Sequence, residues 1–214
     1  MTILVGAFGS GKTEIALNLA LRMAAEGNVS LVDLDVVTPY FRSRDQKEAL
    51  ARHGVRVITP EPRVAQADLP SIPSGMEKVL GSEEGKVIID VGGDTMGARV
   101  LGSLRRLLPR RHSLLFVVNP FRPFTATVEK TVTELRRIED TVHLRVTGLI
   151  ANSNLGPRTT WETLLTGHEK VLAAGRQLKL PVIFGTYPCF LNGNGVRSNL
   201  DLPLMPLQLF MFPP

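Results

Sequence analysis

Short apolar runs alternate along this chain with longer stretches of helical period, and the alternation predicts β and α elements in turn. Residues 3–5 read as a buried strand, and residues 14–26 carry Ile15, Leu17, Leu19, Leu21 and Met23 among alanines as a helix. Residues 29–37 (VSLVDLDVV) and 55–58 are the next strands, with a helix over 43–53 between them closed by Gly54. Residues 86–90 (KVIID), 114–118, 146–151 and 182–185 continue the strand series. Between them, helices are predicted over 94–108, 125–140 and 160–178, the second with Val128, Val132, Leu135 and Ile138 as its apolar stripe. Repeated β-α units imply an α/β fold of three layers, with a mostly parallel sheet of about seven strands and helices on both faces.

Two stretches break the rhythm. Residues 59–75 hold four prolines and little periodicity, which predicts a long crossover loop before a short helix ending at Leu80. Residues 202–214 (LPLMPLQLFMFPP) are apolar but again hold four prolines, which excludes a continuous amphipathic helix. The expected organisation is one domain over 1–188 and an apolar C-terminal tail over 189–214, packed on the domain or on a partner.

The stretch from Gly6 to Thr13 (GAFGSGKT) fits G-x-x-x-x-G-K-[ST] at every defined position, between the first strand and the first helix. Backbone N–H groups of Phe8, Gly9, Ser10 and Gly11, continuing through Lys12 and Thr13 to Glu14, are placed to cradle phosphate oxygens at a helix N-terminus. Gly6, Gly9 and Gly11 permit the tight turn. Lys12 is the candidate for the β- and γ-phosphates, and the Thr13 hydroxyl for Mg²⁺. The bland alternative, a glycine-rich turn capping an ordinary helix, leaves the Lys-Thr pair unexplained.

Acidic strand ends complete the constellation. Asp33 and Asp35 fall on one side of the second strand near its carboxyl end, where parallel sheets bind ligands. Asp35, nearer the loop, is the candidate Mg²⁺ or water-positioning group, while one of the pair could instead cap the next helix. Asp90 ends the 86–90 strand and is the candidate switch-strand carboxylate, holding Mg²⁺ directly or through water. Gly93 offers a backbone N–H to a γ-phosphate. Lys12, Asp35 and Asp90 form the candidate catalytic set, and Thr13, Asp35 and Asp90 the candidate metal set. Asn152 ends the 146–151 strand, where its carboxamide could read a purine edge or make an Asx-turn. Arg42 and Arg44 lie early in a helical segment, where cations are disfavoured, and so hint at an anion.

Composition narrows the setting. With 214 residues, 43% hydrophobic and 21% charged, the chain suits one substantial globular domain. Cys189 is the single cysteine, which excludes an internal disulfide and any cysteine-cluster metal site, and makes the cytoplasm the expected compartment. No apolar run reaches the ~20 residues needed to span a bilayer, and the apolar start is expected to be site strand rather than targeting segment. The net charge of +5 suits anionic partners, nucleotides and nucleic acid alike. Arg105, Arg106, Arg110 and Arg111 supply much of it, but no aromatics interleave them, so a solvated helix end is favoured over a nucleic-acid patch.

On the P-loop, the Asp33-x-Asp35 strand, the Asp90-x-Gly-Gly strand end and Asn152, the chain resembles the MinD/ParA/CobQ-type nucleotide-binding proteins of the SIMIBI class. The resemblance covers most of residues 1–188 and is nearest to the small stand-alone ATP-binding members. It implies Mg-ATP binding, slow hydrolysis and often a nucleotide-dependent dimer. It also implies phosphate and Mg²⁺ roles for Lys12 and Thr13, a water-activating role for Asp35, a switch role for Asp90, and a base site formed by Asn152 and residues near Pro188. The partition and division-site members carry a lysine where this chain has Ala7, a departure that weakens the dimer expectation. The leading expectation is an ATPase switch acting on a protein partner. A small-molecule kinase or ligase with a substrate pocket at 39–44 and 60–75 is the alternative, and a GTPase for cofactor assembly stands third. That third reading lacks a cysteine–histidine cluster and an N-K-x-D guanine signature at 152–155. A non-enzymatic nucleic-acid module ranks last.

Overall fold

The computed structural model describes residues 1–35, 47–59, 76–80, 85–191 and 202–210, and every apolar run named above becomes a strand within them. These are β1 (Thr2–Val5), β2 (Val29–Leu34), β3 (Val55–Ile58), β4 (Lys86–Val91), β5 (Ser113–Val118), β6 (Gly148–Ala151) and β7 (Val182–Pro188). An eighth strand, β8 (Leu204–Leu207), comes from the C-terminal apolar segment. The helices are α1 (Lys12–Ala24), α2 (Lys47–Arg52), α3 (Met76–Leu80), α4 (Thr95–Leu104), α5 (Val128–Val142) and α6 (Trp161–Leu178). Arg42, Arg44 and both segments of the expected substrate pocket, 39–44 and 60–75, lie outside the described residues.

The strands form one sheet in the order β3-β2-β4-β1-β5-β6-β7-β8, and every pair is parallel. Alternation along the strands divides the core between two faces. Ile3, Val32, Ile89, Phe116 and Leu149 pack with α3 to α6, whereas Leu4, Leu31, Ile88, Val117 and Ile150 pack with α1 and α2. The three layers are thus continuous runs of apolar residues buried on both sides, as a parallel sheet requires. Phe116 is fully buried at the centre, and its truncation to alanine is expected to cost about 3–5 kcal/mol.

Several boundaries differ from the pattern for local reasons. β2 ends at Leu34 because the Asp33 carboxylate accepts the Asp35 N–H at 2.9 Å, an Asx-turn that takes the chain out of the ladder. α4 stops at Leu104, four residues early, and the chain passes through a turn over residues 105–107 before Pro109. α5 starts at Val128 because residues Pro123–Thr125 form a 3-10 turn and Thr127 caps the helix, accepting from the Lys130 N–H at 3.2 Å. The prolines of the C-terminal segment exclude a helix but not a strand: β8 carries Pro206 at the sheet edge, where a missing N–H is tolerated. Its pairing with β7, from Gly185 with Leu204 to Pro188 with Leu207, also lengthens β7 beyond the 182–185 expectation.

β1 lies between β4 and β5, with β2 and β3 to one side and β6 to β8 to the other. The carboxyl ends of all strands share one edge, and the reversal of strand order at β1 opens a crevice there.

Candidate functional site

β1 delivers the chain into the P-loop, and α1 begins at Lys12 with Gly11 as its N-cap. Gly11 has φ 92° and no side chain caps the helix, so the first-turn N–H groups remain for a ligand. A Cβ at Gly11 would lie 2.1 Å from the Asn152 Nδ2, so glycine is required there by contact as well as by conformation. The Ser10 hydroxyl is buried inside the loop and has no hydrogen-bond partner among the described residues. Lys12 is only 7% exposed, and its Nζ donates to the carbonyls of Gly6 and Ala7, each at 3.0 Å. Burial lowers its pKa below the usual lysine range, while the carboxylates of Asp90, Asp35, Asp94 and Glu134 oppose that shift. Thr13 is half-buried beside it, and Phe8 is 58% exposed.

The acidic strand ends meet the P-loop from the β4 side. Asp33 and Asp90 are register partners on β2 and β4, and they are 0% and 1% exposed. Their alternation with Leu31 and Ile88 turns both toward the α1 face. Asp35 is half-buried just beyond β2, and a Cβ at Gly92 would lie 3.4 Å from its Oδ1. At Gly93 a Cβ would lie 2.8 Å from the Phe8 Cα and 2.9 Å from both the Phe8 N and the Lys12 Nζ. Backbone there approaches the loop as closely as a missing side chain allows. Asp94 then caps α4, accepting from the Gly97 N–H at 2.8 Å. Lys12, Asp35, Asp90 and Gly93 are therefore contiguous.

The other flank of the loop is built differently. The Asn152 Nδ2 donates to the Ser10 carbonyl at 2.6 Å, and its Oδ1 accepts from the Thr186 hydroxyl at 2.6 Å. Asn152 is thus a strut from β6 to the P-loop and β7, with its carboxamide engaged on both sides. Thr186, on β7, was not singled out in the sequence. Neither was Arg122, whose Nε donates to the Gly9 carbonyl at 3.0 Å. The legible signal for Arg122 was the Asn-Pro-Phe-Arg-Pro-Phe run directly after β5. Glu14 is buried, and its Oε1 accepts from the Phe210 N–H. Leu209 from that C-terminal segment joins Gly9, Gly11, Arg122 and Asn152 around a cleft of about 130 Å³. Pro188 ends β7 opposite Leu207 and is not among the residues lining this cleft.

The donor set suits phosphate: a buried hydroxyl, a buried ammonium and a turn with left-handed glycines at one helix N-terminus. Thr13, Asp35 and Asp90 supply hard oxygen donors, of the kind Mg²⁺ takes together with substrate phosphates. Among the described residues no group of three or more His, Cys, Asp or Glu could hold a metal ion by itself. Arg105, Arg106, Arg110 and Arg111 are exposed beyond the carboxyl end of α4, at the opposite edge of the sheet from this site. Among the described residues no helix is long and apolar enough to cross a membrane.

No protein-family model and no curated protein matches the sequence. Solved structures do. The chain is similar to the cell division protein FtsY from Thermotoga maritima, with TM-score 0.58 and 22% identity over 86% of this chain and 60% of that one. It is similar to a nucleotide-binding protein in complex with ADP from Archaeoglobus fulgidus, with TM-score 0.54 and 22% identity over 86% of this chain and 80% of that one. It is also similar to the Signal Recognition Particle 54 kDa protein from Aeropyrum pernix in complex with GDP, with TM-score 0.57 and 20% identity over 86% and 40%. The chain spans less than two thirds of the FtsY and signal-recognition chains. The chain therefore shares the α/β fold of these structures, a mostly parallel sheet between helices, as the sequence pattern predicts.

Proposed function

We propose that this protein binds a nucleoside triphosphate, ATP in the first reading, with Mg²⁺, hydrolyses it slowly, and acts as a nucleotide-dependent switch on a protein partner in the cytoplasm. The observation that carries the proposal is the convergence on one P-loop of the buried Lys12 ammonium, the buried Ser10 hydroxyl and the Asp35 and Asp90 strand ends. Lys12 would exchange the Gly6 and Ala7 carbonyls for phosphate oxygens, a move that needs only side-chain rotation. The loop N–H groups from Phe8 to Glu14 would hold the β-phosphate, and the Gly93 N–H the γ-phosphate. Mg²⁺, held by Thr13 with Asp35 and Asp90 behind it, would neutralise charge on the phosphate oxygens. Asp35, at the open end of β2, would orient the attacking water, while Asn152 braces the loop. Ala7 supplies no cation to a second copy's nucleotide, so a partner of another kind is favoured over a homodimer.

GTP is the second reading, favoured because structures of this fold carry GDP as well as ADP. The deciding experiment is phosphate release from the purified chain with Mg-ATP and Mg-GTP, beside Lys12→Ala. Slow release that vanishes in Lys12→Ala supports the proposal, and release that survives the substitution refutes it. Tight binding without turnover replaces the switch with a kinase awaiting its acceptor.

A further inference from the structure

The cleft beside the P-loop has two walls whose chemistry the phosphate site does not use. Arg122 forms the first. Its loop is held rigidly after β5: the Arg122 N–H donates to the Asn119 carbonyl at 3.0 Å, and the Thr125 hydroxyl donates to the same carbonyl at 2.6 Å. The Asn119 Oδ1 accepts from the Phe121 N–H at 3.1 Å. The guanidinium rests against Gly9, where a Cβ would lie 3.4 Å from Nε and 3.7 Å from Cζ. Only Nε is bonded among the described residues, so the exposed planar head keeps its two terminal amino groups for a ligand.

Leu209 forms the second wall, and it too is fixed. The Gln208 N–H donates to the Asn18 Oδ1 at 2.8 Å, the Asn18 Nδ2 returns a bond to the Gln208 carbonyl at 3.0 Å, and the Phe210 N–H is taken by Glu14. Residues 208–210 are thereby clasped to the first two turns of α1, directly beyond Thr13. Several polar groups between the walls are engaged internally. Asn152 is tied to Ser10 and Thr186, the Asn154 Oδ1 accepts from the Gly156 N–H at 2.6 Å, and the Asn119 Nδ2 donates to the Asn154 carbonyl at 2.9 Å. The cationic plane and the aliphatic side chain of the two walls are a pair suited to the two faces of a flat aromatic ring.

We infer that Arg122 and Leu209 grip the nucleobase of the bound nucleotide by stacking, so that the site selects a purine for its area and discriminates adenine from guanine only weakly. The inference rests on the nucleotide reading above. It makes the C-terminal segment part of the binding site, and it puts recognition in ring faces rather than in hydrogen bonds, which is tolerant of base identity.

Titration calorimetry of the full chain with Mg-ATP, Mg-GTP, Mg-CTP and Mg-tripolyphosphate tests it. ATP and GTP are expected within about tenfold of one another, with CTP and tripolyphosphate weaker. Arg122→Ala and Leu209→Ala should each weaken ATP and GTP by about tenfold, the order of one lost stacking contact, and leave tripolyphosphate within about twofold. Arg122→Lys, which keeps the charge but not the plane and leaves the C-terminal segment untouched, should lose most of that tenfold. The inference is overturned if Leu209→Ala binds ATP as wild type does. It is equally overturned if Arg122→Ala weakens tripolyphosphate as much as ATP, since Arg122 then only braces the loop, or if one purine is preferred by more than about a hundredfold. Tripolyphosphate binding as tight as ATP binding would sink the grip alone. Failure of the wild type to bind any of the four would sink the phosphate site with it.

Discussion

The two flanks of the P-loop are assembled on opposite principles. On the β4 flank, Lys12, Asp35, Asp90 and Gly93 come from the loop itself and from two strand ends, and each contact follows from a short motif set on a parallel sheet. On the β5 flank, Arg122, Asn152, Thr186 and Leu209 come from four separate segments, and none belongs to a motif that fixes its role. Phosphate is a constant ligand that many chains can meet with one local solution. The far end of the ligand is met by whatever long-range contacts a particular chain has built. On the proposed function, affinity for phosphate belongs to the first flank and tuning to the second.

Lys12→Ala strikes the first flank hardest. Loss of its charge from a buried site should reduce turnover by about 100-fold or more in the phosphate-release assay, with the melting temperature little changed. Turnover within tenfold of wild type would remove Lys12 from the chemistry.

His168 probes the second flank through pH. It is buried on α6 against Gly185 of β7, with Nδ1 2.9 Å from the Ser153 hydroxyl, one residue past Asn152. Burial pushes its pKa down from 6.5 to about 4. The unfolded chain therefore binds this proton between pH 6.5 and 4 while the folded chain does not, and stability falls as pH drops through that window. The loss should approach roughly 3 kcal/mol at pH 4 and be absent above pH 7. Denaturant titrations of wild type and His168→Gln across pH 4–8 would show it as a difference in slope. Parallel curves would mean that other groups govern acid stability.

Gly93→Ala tests the closeness of the first flank. The new methyl would meet backbone of Phe8 and the Lys12 Nζ, so the P-loop must shift, at a cost of about 1–3 kcal/mol in stability and a loss of affinity for ATP and tripolyphosphate alike. An unchanged tripolyphosphate affinity would mean that Gly93 does not border the phosphates.

Asn152→Ala separates strut from reader at the smallest expected effect. Removing two buried hydrogen bonds should cost about 1–2 kcal/mol in thermal stability and leave the ratio of ATP to GTP affinity unchanged. A shift in that ratio would return Asn152 to the base.

What was legible follows the same divide. The strands of β1 to β7 were read because both faces of a parallel sheet are buried and the runs are apolar throughout. The C-terminal segment read only as an apolar tail packed on the domain or a partner, because a strand that holds Pro206 is possible at an edge and edge position is not a local property. Arg122 stands in the Asn-Pro-Phe-Arg-Pro-Phe run, but its reach to Gly9 spans 113 residues of sequence. The Gln208 and Asn18 pair spans 190. No periodicity carries contacts of that separation.

The sequence by itself determined the three-layer α/β class, the P-loop and the acidic strand ends, because apolar periodicity and glycine-lysine-threonine spacing act over a few residues and one turn of chain. Only the tertiary structure decided that the apolar C-terminal segment adds an edge strand to the sheet and walls the cleft. It alone engaged the Asn152 carboxamide with Ser10 and Thr186, and it alone set Arg122 on the P-loop. The physical reason is that a hydrogen bond or a buried face between distant segments is chosen by the packing of the whole sheet, which brings those segments together only after the local elements have formed.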